Sequence, residues 1–332
     1  MAVGCILVFL WAVADLRAQE LSALGGTVAT ADSNHASYSW ELDYRQYFSQ
    51  QLAASLSWIN EGHLLNHELD GIALEGWYRL PLGGGRLSLS VGAGPYVFLD
   101  TELPPTGGSI DTHGLAPIFS ASLNGYVSDR WFWQFMINRI NPPVKSVKVN
   151  TAAFGVGYWL GGSHKPDGRG LSAGTDLEEE PDWEPLRNTA TVYAGWRATN
   201  TRITRQTMAE AVEYRRKLLK HLDASLSFIY EGDPGVVRRS GIGAQVWAVN
   251  RFPERWGITI GMGFGTYIYV DKKTPAQGST QNPAAAGGLV SPMIAKHFGK
   301  SPWSVRAVWN RIITNYSRDS DLWMLGLSYS WR

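Results

Sequence analysis

The sequence predicts an all-β fold of transmembrane, antiparallel, up-and-down β-barrels, two in tandem with eight strands each. Three observations predict this class. One pattern of residues occurs twice along the chain, apolar residues alternate with polar or small residues within each predicted strand, and these strands are long enough to cross a bilayer. A single sixteen-stranded barrel is the alternative that the same observations allow.

The duplication rests on segments that recur in the same order about 170 residues later. The segment ASLSWINEG at Ala54–Gly62 recurs as ASLSFIYEG at Ala224–Gly232. Further blocks match residues 71–73 with 241–243, 77 with 247, 91–94 with 260–263, 138–140 with 310–312, and 154–158 with 325–329. Because the order is kept over separate blocks, we infer that one unit of roughly 140 residues was duplicated.

Composition excludes some classes of protein. The 332 residues carry a formal net charge of +1, so no nucleic-acid partner is expected. Hydrophobic residues make up 44% of the chain, and they include 15 Trp and 14 Tyr beside 36 Gly. No stretch after residue 20 approaches the roughly 18 apolar residues that a membrane-spanning helix needs.

Residues 1–18 are predicted to be a secretory signal peptide. The apolar run Val3–Ala14 is too short to span a bilayer, and Ala12–Ala14 has the small-x-small pattern of a cleavage site, with Leu16–Ala18 as a second candidate. A buried N-terminal segment is the alternative. Cys5, the only cysteine, lies inside this segment, so the mature protein is expected to have no thiol.

The alternation has a period of two residues. Along residues 38–48, aromatic and aliphatic side chains alternate with Ser39, Glu41, Asp43 and Arg45. A soluble sandwich or barrel produces the same alternation. The strands here run about 10 to 13 residues, whereas strands of soluble proteins average five or six, so their length favours a membrane barrel.

Eight strands are predicted in each repeat. In the first they fall near residues 22–31, 37–48, 52–62, 70–80, 86–101, 114–127, 130–140 and 150–160. In the second they fall near residues 189–200, 208–220, 223–232, 240–251, 256–271, 286–298, 302–314 and 321–331. Short turns such as Gly83–Gly85 are expected to face the periplasm, and longer connections such as Glu102–His113 and Lys272–Pro283 to face outward.

The predicted organisation is a first barrel at residues 19–161, a periplasmic linker at 162–187 and a second barrel at 188–332. Inward charges favour two small barrels over one wide one, because paired charges can fill an eight-stranded interior. The predicted interior charge network consists of Glu41, Asp43, Arg45, Glu75, Arg79, Glu213 and Arg215.

Each half resembles the small eight-stranded outer-membrane barrels, the class of the OmpA membrane domain and the lipid A deacylases. The segments that carry this resemblance are Ser90–Tyr96 and Phe154–Trp159. The deacylases carry a His-x-Ser-Asn motif where residues 138–141 read Asn-Arg-Ile-Asn, so no catalytic residue is carried over. The last strand, Leu327–Arg332, resembles the segment by which the barrel assembly machinery recognises such proteins.

Two groups of residues are candidates for a site at the outer rim. The first repeat places Glu61, His63, His67, Asp111 and His113 on neighbouring connections, and these residue types support acid–base chemistry or metal binding. Solvated loop residues are the alternative, and neither a metal nor a cofactor is expected.

Arg139 and Arg311 form the second group. Alternation directs both outward near the rim and turns Asn138 and Asn310 inward. An arginine there is suited to bidentate pairing with lipopolysaccharide phosphates, with a snorkelling side chain as the alternative.

The expected function is that of a non-enzymatic protein of the Gram-negative outer membrane, structural or interacting with lipopolysaccharide. Its expected partners are outer-membrane lipids, lipopolysaccharide and the barrel assembly machinery. One alternative is a lipid A-modifying hydrolase with its site in the first repeat. The other is a passive channel, which requires that the two repeats form one barrel.

Overall fold

The computed structural model describes residues 18–31, 35–64, 66–105, 109–143, 146–161, 163–165, 170–172, 188–199, 206–233, 238–252, 256–272, 285–299 and 301–332. Residues 1–17 of the predicted signal peptide and most of the predicted linker lie outside these ranges. Within them, no helix is long and apolar enough to cross a membrane.

Eight antiparallel strands form the first barrel. They are β1 (Ala18–Thr30), β2 (Ala36–Tyr47), β3 (Leu52–Leu64), β4 (His67–Leu82), β5 (Leu87–Glu102), β6 (Ile110–Tyr126), β7 (Trp131–Ile140) and β8 (Val149–Gly161). Each strand pairs with its neighbours in chain order, and β1 pairs with β8 to close the sheet.

The second barrel repeats this topology. Its strands are β11 (Asn188–Thr199), β12 (Gln206–Leu219), β13 (Leu222–Tyr230), β14 (Arg239–Arg251), β15 (Ile258–Lys272), β16 (Ala286–His297), β17 (Trp303–Ile313) and β18 (Ser320–Trp331), and β11 pairs with β18. The prediction of two closed eight-stranded barrels is confirmed, and the sixteen-stranded alternative is wrong. The sequence did not predict a short hairpin of β9 (Ser163–Lys165) and β10 (Gly170–Ser172), which follows β8 in the chain.

Alternation along the strands places apolar side chains outside and many polar ones inside. On β6 and β7, Phe119 and Phe135 are 53% and 43% exposed. On β3, Ser55 and Ser57 are buried in the lumen. A soluble barrel would show the reverse, because water rather than lipid would then surround it. The exposed apolar surface is therefore the lipid-facing surface of a transmembrane barrel.

The structure corrects one detail of the duplication. Gly92 pairs across the strands with Trp77, and Gly263 pairs with Trp247, so these two glycines are equivalent. The sequence comparison had matched Gly92 with Gly261, a slip of two residues. Glycines occupy alternate positions on β5 and on β15. An alignment of the two strands that is shifted by two residues therefore still matches glycine with glycine on the same face, and the sequence pattern does not reveal the error.

The connections agree with the prediction at the short turns and differ at one long connection. Gly83, Gly84 and Gly85 form the β4–β5 turn with φ of +57°, +68° and +90°, values that favour glycine. The connection predicted at Glu102–His113 is shorter than expected, because β5 continues to Glu102 and β6 begins at Ile110. The one predicted at Lys272–Pro283 lies mostly outside the described residues.

Candidate functional site

The interior of the first barrel contains an ion pair stacked on a tryptophan. Nη2 of Arg45 lies 3.2 Å from Oδ2 of Asp43, whose Oδ1 accepts a hydrogen bond of 2.8 Å from Ser57. The guanidinium carbon of Arg45 lies 3.8 Å from the centroid of the Trp77 ring. Nε1 of Trp77 donates to Oγ of Ser55 at 2.8 Å. These contacts fix one arginine and one carboxylate inside the lumen.

The second barrel contains the same arrangement. Nη2 of Arg215 lies 3.1 Å from Oε2 of Glu213, and its guanidinium carbon lies 3.7 Å from the Trp247 ring centroid. Nε1 of Trp247 donates to Oγ of Ser225 at 2.8 Å. Nη1 of Arg306 adds a second contact with Glu213, at 2.7 Å. The carboxylate is therefore held between two guanidinium groups.

The remaining predicted interior residues are also buried in the first lumen. Nη2 of Arg79 donates to the Tyr126 hydroxyl at 3.2 Å near the short turns. Oε2 of Glu41 accepts a hydrogen bond of 2.9 Å from Nδ2 of Asn138. Glu75 is 1% exposed. None of these groups reaches the outer surface of the barrel.

A third buried ion cluster, in the second barrel, was missed by the sequence analysis. Oε1 of Glu231 lies 2.5 Å from Nε of Arg239, and Oε2 lies 3.1 Å from Nε of Arg197. Nη1 of Arg239 donates to the Tyr316 hydroxyl at 3.0 Å. Arg239 is the first residue of β14 and lies just outside the strand predicted at residues 240–251. The alternation of the strand therefore did not predict that the Arg239 side chain points into the lumen. The one available signal was the retention of a glutamate, Glu61 and Glu231, in both repeats.

The rim histidines of the first repeat form two separate pairs. Nδ1 of His63 lies 3.5 Å from Oε1 of Glu68, and Nδ1 of His67 lies 2.8 Å from Oδ1 of Asp100. Oγ of Ser146 donates to Oδ2 of Asp100 at 2.8 Å. Asp100 thus stands between the histidine and the serine. A nucleophilic triad requires the histidine in that central place, where it takes the hydroxyl proton.

The other rim candidates are Glu61, Asp111 and His113. Glu61 is buried in the lumen, where its Oε2 accepts a hydrogen bond of 2.8 Å from the Tyr96 hydroxyl. Asp111 and His113 lie two positions apart on β6. In the part of the chain that the structure describes, no three His, Cys, Asp or Glu side chains form a group that could hold a metal ion.

The two outward arginines have different partners at equivalent places. Arg139 is exposed, and it donates through Nε to Oδ1 of Asn141 and through Nη1 to Oδ1 of Asn150, each at 2.9 Å. Arg311 is 4% exposed, and its Nη1 lies 2.6 Å from Oδ2 of Asp321. Asn150 is the cross-strand partner of Arg139 on β7 and β8, and Asp321 is that of Arg311 on the equivalent strands β17 and β18. Arg311 is therefore charge-compensated by a carboxylate, whereas the two amide partners of Arg139 are neutral.

The chain is similar to several solved structures. No protein family matches the chain, and no curated protein matches it. The chain is similar to the N-terminal β-barrel domain of Pseudomonas aeruginosa OprF, with 15% identity, 43% of this chain and 98% of that chain covered, and a TM-score of 0.37. It is similar to Neisserial surface protein A, NspA, with 11% identity, 42% and 95% covered, and a TM-score of 0.35. A Pseudomonas aeruginosa FadL homologue has 10% identity, 96% and 91% covered, and a TM-score of 0.27.

Proposed function

We propose that this protein is a non-enzymatic component of the outer membrane of a Gram-negative bacterium, and that its first barrel contacts lipopolysaccharide through Arg139. The observation that carries the proposal is the combination of a lipid-facing apolar exterior with filled interiors. A protein built in this way is suited to stay in the membrane and to present its rim.

Filled interiors argue for a structural role rather than for a passive pore. Near the short turns of the first barrel, Tyr47 stacks on Trp159 with ring centroids 5.4 Å apart, and Tyr126 lies 6.2 Å from the same ring. Phe132 packs beside them at 5.8 Å from Tyr126. Side chains are expected to fill an eight-stranded lumen, whereas an aqueous channel needs about sixteen strands.

Planar-bilayer conductance tests this role. We expect the full-length protein in planar bilayers to give no large, steady conductance, because aromatic rings and ion pairs occupy both lumens. Fractionation of cells provides the companion measurement, with the protein expected in the outer-membrane fraction. A large open conductance, or recovery of the protein in the aqueous fraction, would overturn the proposal.

The lipopolysaccharide contact rests on the difference between Arg139 and Arg311. A guanidinium group pairs well with phosphate, and lipid A phosphates lie at the level of the outer rim. Arg139 is exposed and hydrogen-bonded to neutral amides, so its positive charge is available to an anion. Arg311 is already paired with Asp321. The first barrel is therefore the better candidate for the contact.

A substitution copied from the second barrel tests the contact. Asn150→Asp places a carboxylate beside Arg139, as Asp321 stands beside Arg311, and should weaken lipid A binding about fivefold. Arg139→Ala should have the same effect. The control pairs Arg311→Gln with Asp321→Asn and should leave binding unchanged. Binding of labelled lipid A to the purified protein in micelles is the measurement, and equal affinity in all variants would refute the contact.

A hydrolase acting on lipid A is the second candidate, and the contact of His67 with Asp100 is what favours it. A carboxylate on Nδ1 orients an imidazole for acid–base work at Nε2. Mass spectrometry of lipid A from cells with and without the protein is the test. Loss of an acyl chain that disappears in His67→Ala would support an enzyme, and an unchanged spectrum would support the non-enzymatic role.

A further inference from the structure

The apolar interior of the first barrel is divided into two clusters of buried side chains. The upper cluster, toward the β3–β4 connection, includes Tyr96 and Ile140. The lower cluster, toward the β2–β3 turn, includes Trp77 and Met136. A well-packed lumen would bury apolar side chains continuously from one end to the other. The break between these clusters therefore marks a place where the barrel holds something other than apolar atoms.

Polar residues stand at this break. Three strands each place one polar residue between the two clusters: Glu75 on β4, Asn138 on β7 and Thr151 on β8. On each strand, the inward residue two positions to one side belongs to the upper cluster, and the inward residue two positions to the other side belongs to the lower cluster. The exposed fractions of the three polar residues are 1%, 3% and 4%. Nδ2 of Asn138 donates across the lumen to Oε2 of Glu41. We call Glu41, Glu75, Asn138 and Thr151 the polar layer.

In the second barrel, the apolar interior is not divided at the level that corresponds to the polar layer. Among its described residues, one apolar cluster of 14 buried side chains extends through this level. Ala211 belongs to that cluster and stands four residues before Arg215, as Glu41 stands four residues before Arg45. The carboxylate of the first barrel is thus replaced by a methyl group.

The other members of the polar layer have neutral or apolar counterparts. Leu322, the cross-strand neighbour of Asn310, replaces Thr151, the cross-strand neighbour of Asn138. Gln245 stands in the place of Glu75, and its Nε2 donates to Oγ of Ser291 at 2.9 Å. The repeats therefore differ at this level by two buried carboxylates.

Several oxygen atoms of the polar layer make no hydrogen bond to any described residue. They are Oε1 of Glu41, both carboxylate oxygens of Glu75, Oδ1 of Asn138 and Oγ1 of Thr151. The Ser120 hydroxyl is a donor near Glu75, but its oxygen does not reach hydrogen-bonding geometry with either carboxylate oxygen. Buried polar atoms of folded proteins nearly always have a partner, since an unsatisfied one costs free energy. An unsatisfied carboxylate costs the most. These oxygens are therefore expected to contact an ion or water inside the lumen.

The cations of the lumen have other partners. Arg45 pairs with Asp43 and stacks on Trp77. Arg79 lies near the short turns, where it contacts Tyr126. The charge of Arg45 acts on both carboxylates of the polar layer, but neither carboxylate forms an ion pair with a guanidinium group among the described residues. Glu213 of the second barrel, in contrast, forms two such pairs.

We propose that the polar layer of the first barrel binds a hard cation of the calcium class. Calcium takes six to eight oxygen ligands in flexible geometry and accepts carboxylate, amide and hydroxyl oxygens together with water. Glu41 and Glu75 supply the negative charge, and Asn138 and Thr151 supply neutral oxygens. Apolar clusters cover the layer on both sides, so the cation enters during folding and is then retained.

The experiment measures retained metal after folding. Full-length protein is refolded into detergent micelles with CaCl₂ and passed through metal-free buffer, and calcium per folded chain is determined by elemental mass spectrometry. We expect about one calcium ion per chain in the unsubstituted protein. Glu75→Gln, which introduces the residue of the second barrel, should reduce it about tenfold or more. The control Glu210→Gln removes an exposed carboxylate and should reduce nothing.

A second measurement keeps the proposal testable if retention is affected by refolding yield. Calcium should raise the unfolding temperature of the unsubstituted protein and of Glu210→Gln, but not that of Glu75→Gln or Glu41→Ala. Terbium, which substitutes for calcium, should give luminescence excited through tryptophan only where the layer is intact. Two results would overturn the proposal: folded protein that retains no calcium, or a Glu75→Gln variant that retains as much calcium as the unsubstituted chain. Either result would show that water and protons, and not a cation, are the partners of the oxygen atoms of the polar layer.

Discussion

Arg45 stacks on Trp77 in the first barrel with 3.8 Å between the guanidinium carbon and the ring centroid. Arg215 and Trp247 repeat the contact at 3.7 Å in the second. In both barrels the arginine also pairs with an acidic residue two positions before it on the same strand. The duplication has thus preserved a buried three-residue unit, although few of the surrounding residues are identical.

Removal of the arginine alone should be costly. Arg45→Met leaves Asp43 buried without its cation, and we expect a loss of about 3 kcal/mol in the free energy of unfolding. Arg45→Met combined with Asp43→Asn should recover much of that loss, since neither member of the pair then carries a charge. Urea unfolding in micelles, followed by tryptophan fluorescence, is the measurement. A single variant as stable as the unsubstituted protein would show that the pair contributes nothing.

Two glycines should be intolerant of a side chain because of the tryptophans beside them. A Cβ at Gly92 would lie 2.6 Å from the Trp77 ring, and one at Gly263 would lie 2.7 Å from the Trp247 ring. Gly92→Ala and Gly263→Ala should each cost about 1–3 kcal/mol through overpacking. Gly76→Ala is the matched control, since nothing lies within 4 Å of its Cβ position. Equal unfolding midpoints for all three variants would contradict this packing.

His221, in the turn between β12 and β13, should make the second barrel sensitive to acid. Burial lowers the pKa of its imidazole, the nearby cations Lys217, Lys220 and Arg251 lower it further, and a contact of Nδ1 with the Val249 carbonyl opposes them. The unfolded chain then binds a proton near pH 6.5 while the folded one does not, so stability falls as the pH drops below about 6.5.

The measurement for His221 is the unfolding midpoint at about pH 7.5 and about pH 5. The unsubstituted protein should lose more stability over this interval than His221→Gln, which does not titrate. Identical losses in the two proteins would mean that His221 has the same proton affinity folded and unfolded.

Much of the fold could be predicted from the sequence, because a period of two and turn residues define strands directly. The strand predicted near residues 150–160 is Val149–Gly161, and the one near 321–331 is Ser320–Trp331. The site could be predicted only in part. Alternation places Glu41 and Arg45 inside, but it does not say which charges meet. Partners such as Asn138 for Glu41 are 97 residues apart and are joined only by closure of the barrel.

Each repeat closes on itself as a separate barrel, and engineered disulfides test this closure directly. Ala23 of β1 is the cross-strand partner of Val156 of β8, and Val192 of β11 is that of Leu327 of β18. With Cys5→Ser as background, Ala23→Cys with Val156→Cys, and Val192→Cys with Leu327→Cys, should each form a disulfide, detected as a shift in gel mobility that a reductant reverses. Ala23→Cys with Leu327→Cys should form none. Crosslinking in that last pair, without crosslinking in the first two, would mean that β1 pairs with β18 in one large barrel.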